Sequence, residues 1–355
     1  MLDINSPPKH ICILRLSAIG DICHTLPVIR TIQAHWPQTK ITWIIGKTEY
    51  AMVEGIRDIE FITFDKKKGF QEYLNIHSKL RNIEFDVLLH MQMSLRASFL
   101  SLLIKTKIKV GFDRSRAKDL QWLFTNKKIK PVSNQHVMDS LFGFAEVLGI
   151  TSHLNVWDIP IPDSARASAQ KLLGNISNYI IISPCSSKAY RNWNVDGYSS
   201  ISDYIKEKYN IDVVLTGGHS EIENNYGKNI VHSATHKPLN LIGQTNLKTL
   251  LAIIEGAKCI ISPDSGPAHM STAMGTSVIG LYATTNPERA RPYLSSDWVV
   301  NRYPDAIRKK YNKEINEVPW GTRVRNSWAM NLITIDEVKK MIDNFLTKSS
   351  TGKDL

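Results

Sequence analysis

No apolar run in this sequence approaches the ~18 residues that a membrane-spanning helix requires. Helical membrane insertion is therefore excluded as its architecture. The first residues, Met1-Leu-Asp-Ile-Asn-Ser-Pro-Pro8, have neither a basic start nor a following apolar stretch, so no secretory signal is expected there. Cysteine is scarce: Cys12, Cys23, Cys185 and Cys259 form no C-x-x-C pair. That argues against a disulfide scaffold, and Cys12 and Cys259 lie in apolar strand-like runs that read as buried thiols in a reducing cytosol. No G-x-G-x-x-G follows the first strand-like run of either half, which disfavours a dinucleotide oxidoreductase. The basic residues are spread out, with no RNP, zinc-finger or helix-turn-helix signature, so nucleic acid is not the expected partner. No repeat of 20–50 residues is visible.

What is present begins with size and charge. At one domain per ~150 residues, 355 residues imply two domains, and a hydrophobic content of 43% suffices for two cores. Lys plus Arg number 44 against 33 Asp plus Glu, leaving +11. A surplus of that size favours an acidic partner such as a phosphate or an anionic membrane surface.

Short apolar runs alternate with helix-like segments along the chain. Strands are expected at 11–16, 41–45, 61–64, 87–90 and 109–111, and helices at 22–36, 48–55, 70–83, 94–104 and 135–148. Residues 17–21 read as a turn. Residues 151–165, with Pro160 and Pro162, read as a linker. Alternation then restarts, with strands at 179–183, 212–216, 239–242, 259–261 and 278–282 and helices at 195–209, 220–229, 247–255 and 268–274. Residues 301–330 read as irregular, 335–346 as an amphipathic helix and 347–355 as a frayed tail. Repeated strand–helix units imply parallel α/β sheets covered on both faces.

The stretch with the clearest chemistry is Ser262-Pro-Asp-Ser-Gly-Pro-Ala-His269. It joins an apolar strand to a helix start. Asp264 or Ser265 can cap that helix, Gly266 leaves the backbone room, and Pro267 suits the first turn. Free N–H groups at such an end favour an anion, so the octet reads either as a phosphate-holding turn or as an ordinary capped turn.

Two further polar turns follow the first strand of each half: Arg15-Leu-Ser-Ala-Ile-Gly-Asp21 and Ser186-Ser-Lys-Ala-Tyr-Arg-Asn-Trp193. With the octet, and with Gly111-Phe-Asp-Arg-Ser-Arg116 and Gln121-Trp-Leu-Phe-Thr-Asn126, this pattern resembles glycosyltransferase family 9, the bacterial lipopolysaccharide heptosyltransferases, over nearly the whole chain. The resemblance implies a GT-B fold, two Rossmann-like α/β domains facing each other across a cleft. Residues 1–155 would bind the acceptor, 165–330 the ADP-heptose donor, and 331–355 would form a helix and tail packing back on the N-terminal domain. It implies inverting transfer of heptose to a Kdo residue of lipid A-Kdo, with no cofactor and no essential metal, on the cytoplasmic face of the inner membrane. Loose attachment to anionic lipid through the basic surface, reversible by salt and without an inserted helix, is expected.

The resemblance also assigns residues. Asp21 matches the catalytic aspartate, and a base is what proton removal from an acceptor hydroxyl requires. Its neighbours Ala18, Ile19 and Gly20 would touch the donor. Asp264, Ser265 and Gly266 match the donor-binding turn, with His269 beside it. Ser186 and Ser187 belong to the adjoining loop. Arg191, with Lys188 in reserve, would meet the diphosphate, where positive charge stabilises the leaving group. Gly217, Gly218 and Glu221 would lie near the adenosine, and Arg114, Arg116 and Lys118 would contact the acidic acceptor. Each has a structural alternative: Asp21 a helix cap, His269 a satisfied core histidine, Arg191 a surface charge, residues 114–118 a solvated face. A nucleotide-sugar epimerase of the same fold, or a non-enzymatic protein binding anionic lipid or nucleic acid, remains the alternative function.

Overall fold

The computed structural model describes residues 6–350, which divide into two compact units at Pro160/Ile161. Among the described residues each unit carries one six-stranded parallel sheet.

In the first unit the strands are β1 (His10–Leu14), β2 (Lys40–Gly46), β3 (Glu60–Phe64), β4 (Val87–His90), β5 (Ile108–Gly111) and β6 (Lys127–Lys128). Their order is β3-β2-β1-β4-β5-β6. Ile11 stands between Ile41 and Val87 in the register, and β1 is buried from Ile11 to Leu14, as expected for a strand covered on both faces. The helices are α1 (Ile19–His35), α2 (Lys47–Val53), α3 (Phe70–Leu80), α4 (Leu95–Ser101) and α5 (Val137–Glu146).

The second unit repeats this plan. Strands β7 (Tyr179–Ile182), β8 (Asp212–Leu215), β9 (Leu239–Asn240), β10 (Cys259–Pro263), β11 (Ser277–Tyr282) and β12 (Val299–Asn301) run in the order β12-β11-β10-β7-β8-β9. Both sheets therefore reverse direction of winding beside their first strand, between β1 and β4 and between β7 and β10. Such switch points leave a crevice outside the carboxyl ends of the strands, where α/β proteins gather ligands.

The helices of this unit are α6 (Asp163–Leu173), α7 (Val195–Tyr209), α8 (Glu221–Ser233), α9 (Leu247–Glu255), α10 (Gly266–Ala273), α11 (Pro287–Ala290), α12 (Tyr303–Tyr311) and α13 (Ile335–Ser350). Trp193 and Tyr198 anchor its core edge to face, 5.2 Å apart. Gly197 makes this contact possible, because a Cβ there would lie 2.6 Å from the Trp193 ring.

Four sequence expectations change. Residues 19–21 are the first turn of α1 rather than a loop, because the Asp21 carboxylate folds back on the Ala18 N–H at 3.1 Å. The stretch 151–165 is not a loose linker. Leu154 N–H donates to Thr31 Oγ1, Trp157 Nε1 to the Cys23 carbonyl at 2.6 Å, and Asp158 pairs with Arg30, before α6 starts at Asp163. Residues 303–311 are helical. The terminal helix α13 runs on to Ser350, and the rest of the expected tail, 351–355, lies outside the described residues. Val338, Ile342 and Phe345 of α13 are buried in the core of the second unit.

Candidate active site

At the first switch point, β1 is followed by Arg15, whose side chain is almost fully buried. Its guanidinium donates to the Ser17 carbonyl at 2.9 Å and to the Met91 carbonyl, and pairs with the Asp21 carboxylate at 2.5 Å. Gln92, just past β4, accepts from the N–H groups of Leu16 and Ser17 at 2.6 and 3.2 Å. Arg15 and Gln92 thus clamp the turn from both sides of the switch. The peptide between Ser17 and Ala18 is cis. Asp21 sits one-third exposed at the third position of α1, held by a cation and a backbone N–H, with a face left open to a ligand.

A cavity of about 640 Å³ opens beside this turn. Leu16, Ser17 and Gln92 form its floor; Lys47, Lys66, Lys67 and Arg96 supply four cations against Glu49 and Asp65. Asp65 is held below the usual carboxylate range by the Lys67 N–H, with Lys47 adding. Burial pushes the Glu49 carboxyl up, against the pull of Lys66. Gly46 closes the wall, and a Cβ there would collide with the Leu16 carbonyl and the Glu49 carboxylate. His90, at the end of β4, is buried and pushed down to about 3 by desolvation, with Lys109 and Arg15 adding, so it stays neutral and bonds Ser98 at 3.3 Å.

The second switch point is built from the 183–193 loop and the 262–269 turn. Arg191 Nη1 donates to the Asp264 carbonyl at 3.1 Å and pairs with its carboxylate at 3.0 Å, with side chains 12% and 13% exposed. His269 Nε2 stands 3.9 Å from the other Asp264 oxygen. Burial would raise the Asp264 carboxyl, but the His269 imidazole, Arg191 and the Thr285 hydroxyl outweigh it and hold it below the usual range. Ser265 is the residue preceding α10, yet neither it nor Asp264 caps the helix by its side chain. The Ser265 hydroxyl bonds Ser262 Oγ at 2.7 Å instead. Among the described residues nothing bonds Ser183 Oγ, at the end of β7, Thr216 Oγ1, at the end of β8, or Arg191 Nε. Buried polar groups are rarely left so, and a polar ligand over this edge would satisfy them.

The sequence profile of Glycosyltransferase family 9 (heptosyltransferase) matches residues 73–318. The chain belongs to glycosyltransferase family 9. It is a glycosyltransferase enzyme, and its fold is GT-B. A lipopolysaccharide core heptosyltransferase, OpsX, of Haemophilus influenzae is 40% identical over 331 residues, covering 93% of this chain and 95% of that one. Among solved structures, a family 9 glycosyltransferase from Veillonella parvula aligns with a TM-score of 0.79 at 22% identity, covering 96% of this chain and 97% of that one. The Escherichia coli heptosyltransferase WaaC, solved with ADP-2-deoxy-2-fluoro heptose, aligns with a TM-score of 0.69 at 18% identity, covering 94% and 99%.

Set against this family 9 framework, the expected site residues fall into groups. Asp21 with Ala18, Ile19 and Gly20 forms one helix start; Asp264, Ser265, Gly266 and His269 form one turn, which Arg191 meets from the 183–193 loop. Ser186 is tied by its N–H to Asn192 at 2.8 Å, and Ser187 and Lys188 are exposed at the head of that loop. Beyond β8, Gly218 N–H donates to Glu223 at 2.7 Å, and Glu223 also bonds Ser220. Glu223 therefore organises the 217–220 turn, while Glu221 is exposed on the first turn of α8.

The basic stretch divides. Arg114 and Lys118 are exposed, Arg114 lying 4.9 Å over the Trp122 ring. Arg116 donates to Asp113, to Gln135 and Ser140 at 2.8 and 2.9 Å, and to the Lys130 carbonyl at 2.6 Å. Its guanidinium is engaged in holding the loop. Arg116→Ala is expected to lower the melting temperature, since it strands the buried Asp113 carboxylate. Lys118→Ala should leave it unchanged, and thermal unfolding of the two variants checks this. The cavity cations Lys47, Lys66, Lys67 and Arg96 were not singled out from sequence, although the run Lys66-Lys67-Lys68 was there to be read. Among the described residues no three His, Cys, Asp or Glu side chains gather as a metal site.

Proposed function

We propose that this family 9 enzyme transfers heptose from ADP-heptose to a Kdo residue of lipid A-Kdo in lipopolysaccharide inner-core synthesis, with inversion. The reading rests above all on one juxtaposition: Leu16 and Ser17, in the turn that leads to Asp21, line a cavity that carries four cations against two carboxylates. The acceptor's acidic sugar sits among Lys47, Lys66, Lys67 and Arg96. Asp21 takes the proton of its attacking hydroxyl as the oxygen bonds the anomeric carbon and ADP departs. The diphosphate lies at the 262–269 turn, met by the α10 N-terminus, Arg191 and Lys188. Ser183 and Thr216 offer hydroxyls to the same ligand. Glu223, rather than Glu221, shapes the adenosine end. The 40% identity to a lipopolysaccharide core heptosyltransferase supports this substrate class. The enzyme works as a peripheral protein on the cytoplasmic face of the inner membrane.

ADP release from ADP-heptose, measured with and without Kdo-lipid A, tests the reading. Release only with acceptor is expected; equal release without it would indicate an epimerase-like or hydrolytic activity. Neutralising Lys66 and Lys67 together is expected to raise the acceptor KM by roughly tenfold or more at low salt, and less at high salt, with ADP affinity unchanged. Steady-state kinetics at two ionic strengths reads this out. Lys188→Ala is expected to weaken ADP binding by about tenfold, the scale of one charge-assisted hydrogen bond, without moving the melting temperature. Calorimetric titration with ADP decides it.

A further inference from the structure

Helix α4 is apolar on two faces, where an ordinary surface helix is apolar on one. Ala97 and Leu100 are buried together with the small polar residues Ser98 and Ser101, yet Leu95, Phe99 and Leu102, spaced i, i+4 and i+7, face solvent. Leu102 remains 59% exposed. The Phe99 ring meets Phe124 edge to face at 5.6 Å, which brings the 3-10 turn Gln121–Leu123 alongside. That turn adds Trp122 and Leu123, the latter 60% exposed, and is preceded by exposed Leu120. On the other side, the Tyr73 hydroxyl donates to the Arg96 carbonyl at 3.2 Å and sets α3 beside α4. There Phe70 and Leu74, one turn apart, are exposed too, Phe70 by 76%.

An unpartnered apolar surface of this extent marks a docking site. The charges around it say what docks. Lys66, Lys67 and Lys68 immediately precede α3, Arg96 lies on α4, Arg114 stacks over Trp122, and Lys118 is exposed before the 3-10 turn. Of the nearby carboxylates, Glu72 and Asp113 are buried and engaged within the fold, the first by the Asp65 N–H and Asn75, the second by Ser115 and Arg116. Asp65 is paired with Lys47 and the Lys67 N–H, and Asp119, beside Leu120, is exposed, so the cations still outnumber the free carboxylates. An apolar face rimmed by cations, with an indole under a guanidinium, matches the headgroup region of an anionic bilayer.

We propose that α4, the 121–123 turn and the first turns of α3 insert their apolar side chains into the interface of an anionic membrane, holding the cationic cavity at the lipid surface. Attachment then has two components, one electrostatic and one apolar, and salt removes only the first. The inference deepens the reading of a lipid-linked acceptor, and its test uses vesicles that contain no acceptor.

The protein is sedimented with vesicles of phosphatidylglycerol and phosphatidylethanolamine at low and high salt. Wild type is expected to bind at both, more weakly at high salt. The triple variant Phe99→Ser/Leu102→Ser/Leu123→Ser, with unchanged melting temperature, is expected to lose high-salt binding by roughly tenfold or more, the scale of losing three interfacial anchors. Wild-type binding abolished by salt, or a variant that binds like wild type, would overturn the proposal. So would a dimer in light scattering that the triple variant dissolves, since the face would then bind a second copy. Retained vesicle binding in a protein that transfers no heptose to any acceptor would support the surface and sink the substrate reading instead.

Discussion

Replacing Asp21 by asparagine is expected to lower kcat by about 10²–10⁴-fold, the usual cost of removing a general base, with ADP affinity and melting temperature close to wild type. The structure says why the fold should survive. An asparagine oxygen can still accept from the Ala18 N–H, so the start of α1 keeps its cap. Arg15 loses an ionic partner but keeps the carbonyls of Ser17 and Met91. What is removed is the carboxylate's basicity and its charge opposite Arg15. Were Asp21 only a cap for α1 and a partner for Arg15, the variant would turn over almost normally. Kinetics and thermal unfolding measured on the same preparation separate the two. A folded Asn variant with most of its kcat would end the assignment.

Arg191→Ala is expected to be costly in a different way. Its partner Asp264 is nearly buried, and removing one member of a buried ion pair leaves the other charge uncompensated, typically at about 3–5 kcal/mol. Stability and ADP binding should fall together. Arg191→Met/Asp264→Leu should restore most of the stability, because neither charge is then stranded, but not the ADP affinity. The sign with pH follows from Asp264. Its carboxyl is held below the ordinary value in the folded protein, so its contribution is full above the unfolded value near ~4 and disappears as pH falls through the lower folded value. The stability gap between wild type and Asp264→Asn should therefore be wide at neutral pH and close on acidification. Chemical denaturation across pH checks this. A gap that persists undiminished at low pH would remove the carboxylate from the explanation.

Much of the fold was legible because buried parallel strands are short apolar runs and their connecting turns carry Gly, Asp, Ser and Pro. The helices at 195–209 and 247–255 were read with the bounds the structure has. Helix α6 escaped because only Ala165 and Ala169 face its core, and two alanines make no apolar stripe. Helix α12 escaped because Arg308, Lys309 and Lys310 mask the buried Tyr303, Ala306 and Ile307. The polar turns of the site were legible for the reason the strands were, each standing directly after an apolar run. What could not be read was which cations are engaged. Arg116 and Arg114 look alike in sequence, yet one is bonded into its loop and the other lies on the surface. The cavity cations come from the start of α2, the turn after β3 and the start of α4, and only the sheet order brings them together. The exposed face of α4 escaped because an apolar segment reads as core when nothing shows that its serines point inward.

The most direct test of the proposed activity is the mass of the product formed when the purified protein is incubated with ADP-heptose and Kdo-lipid A. Addition of one heptose to the Kdo-lipid A, with an equal amount of ADP and none of either product in the Asp21→Asn variant over the same interval, is the expected result. Unmodified Kdo-lipid A in the presence of folded protein, or heptose released to water at the same rate with no acceptor present, would contradict it.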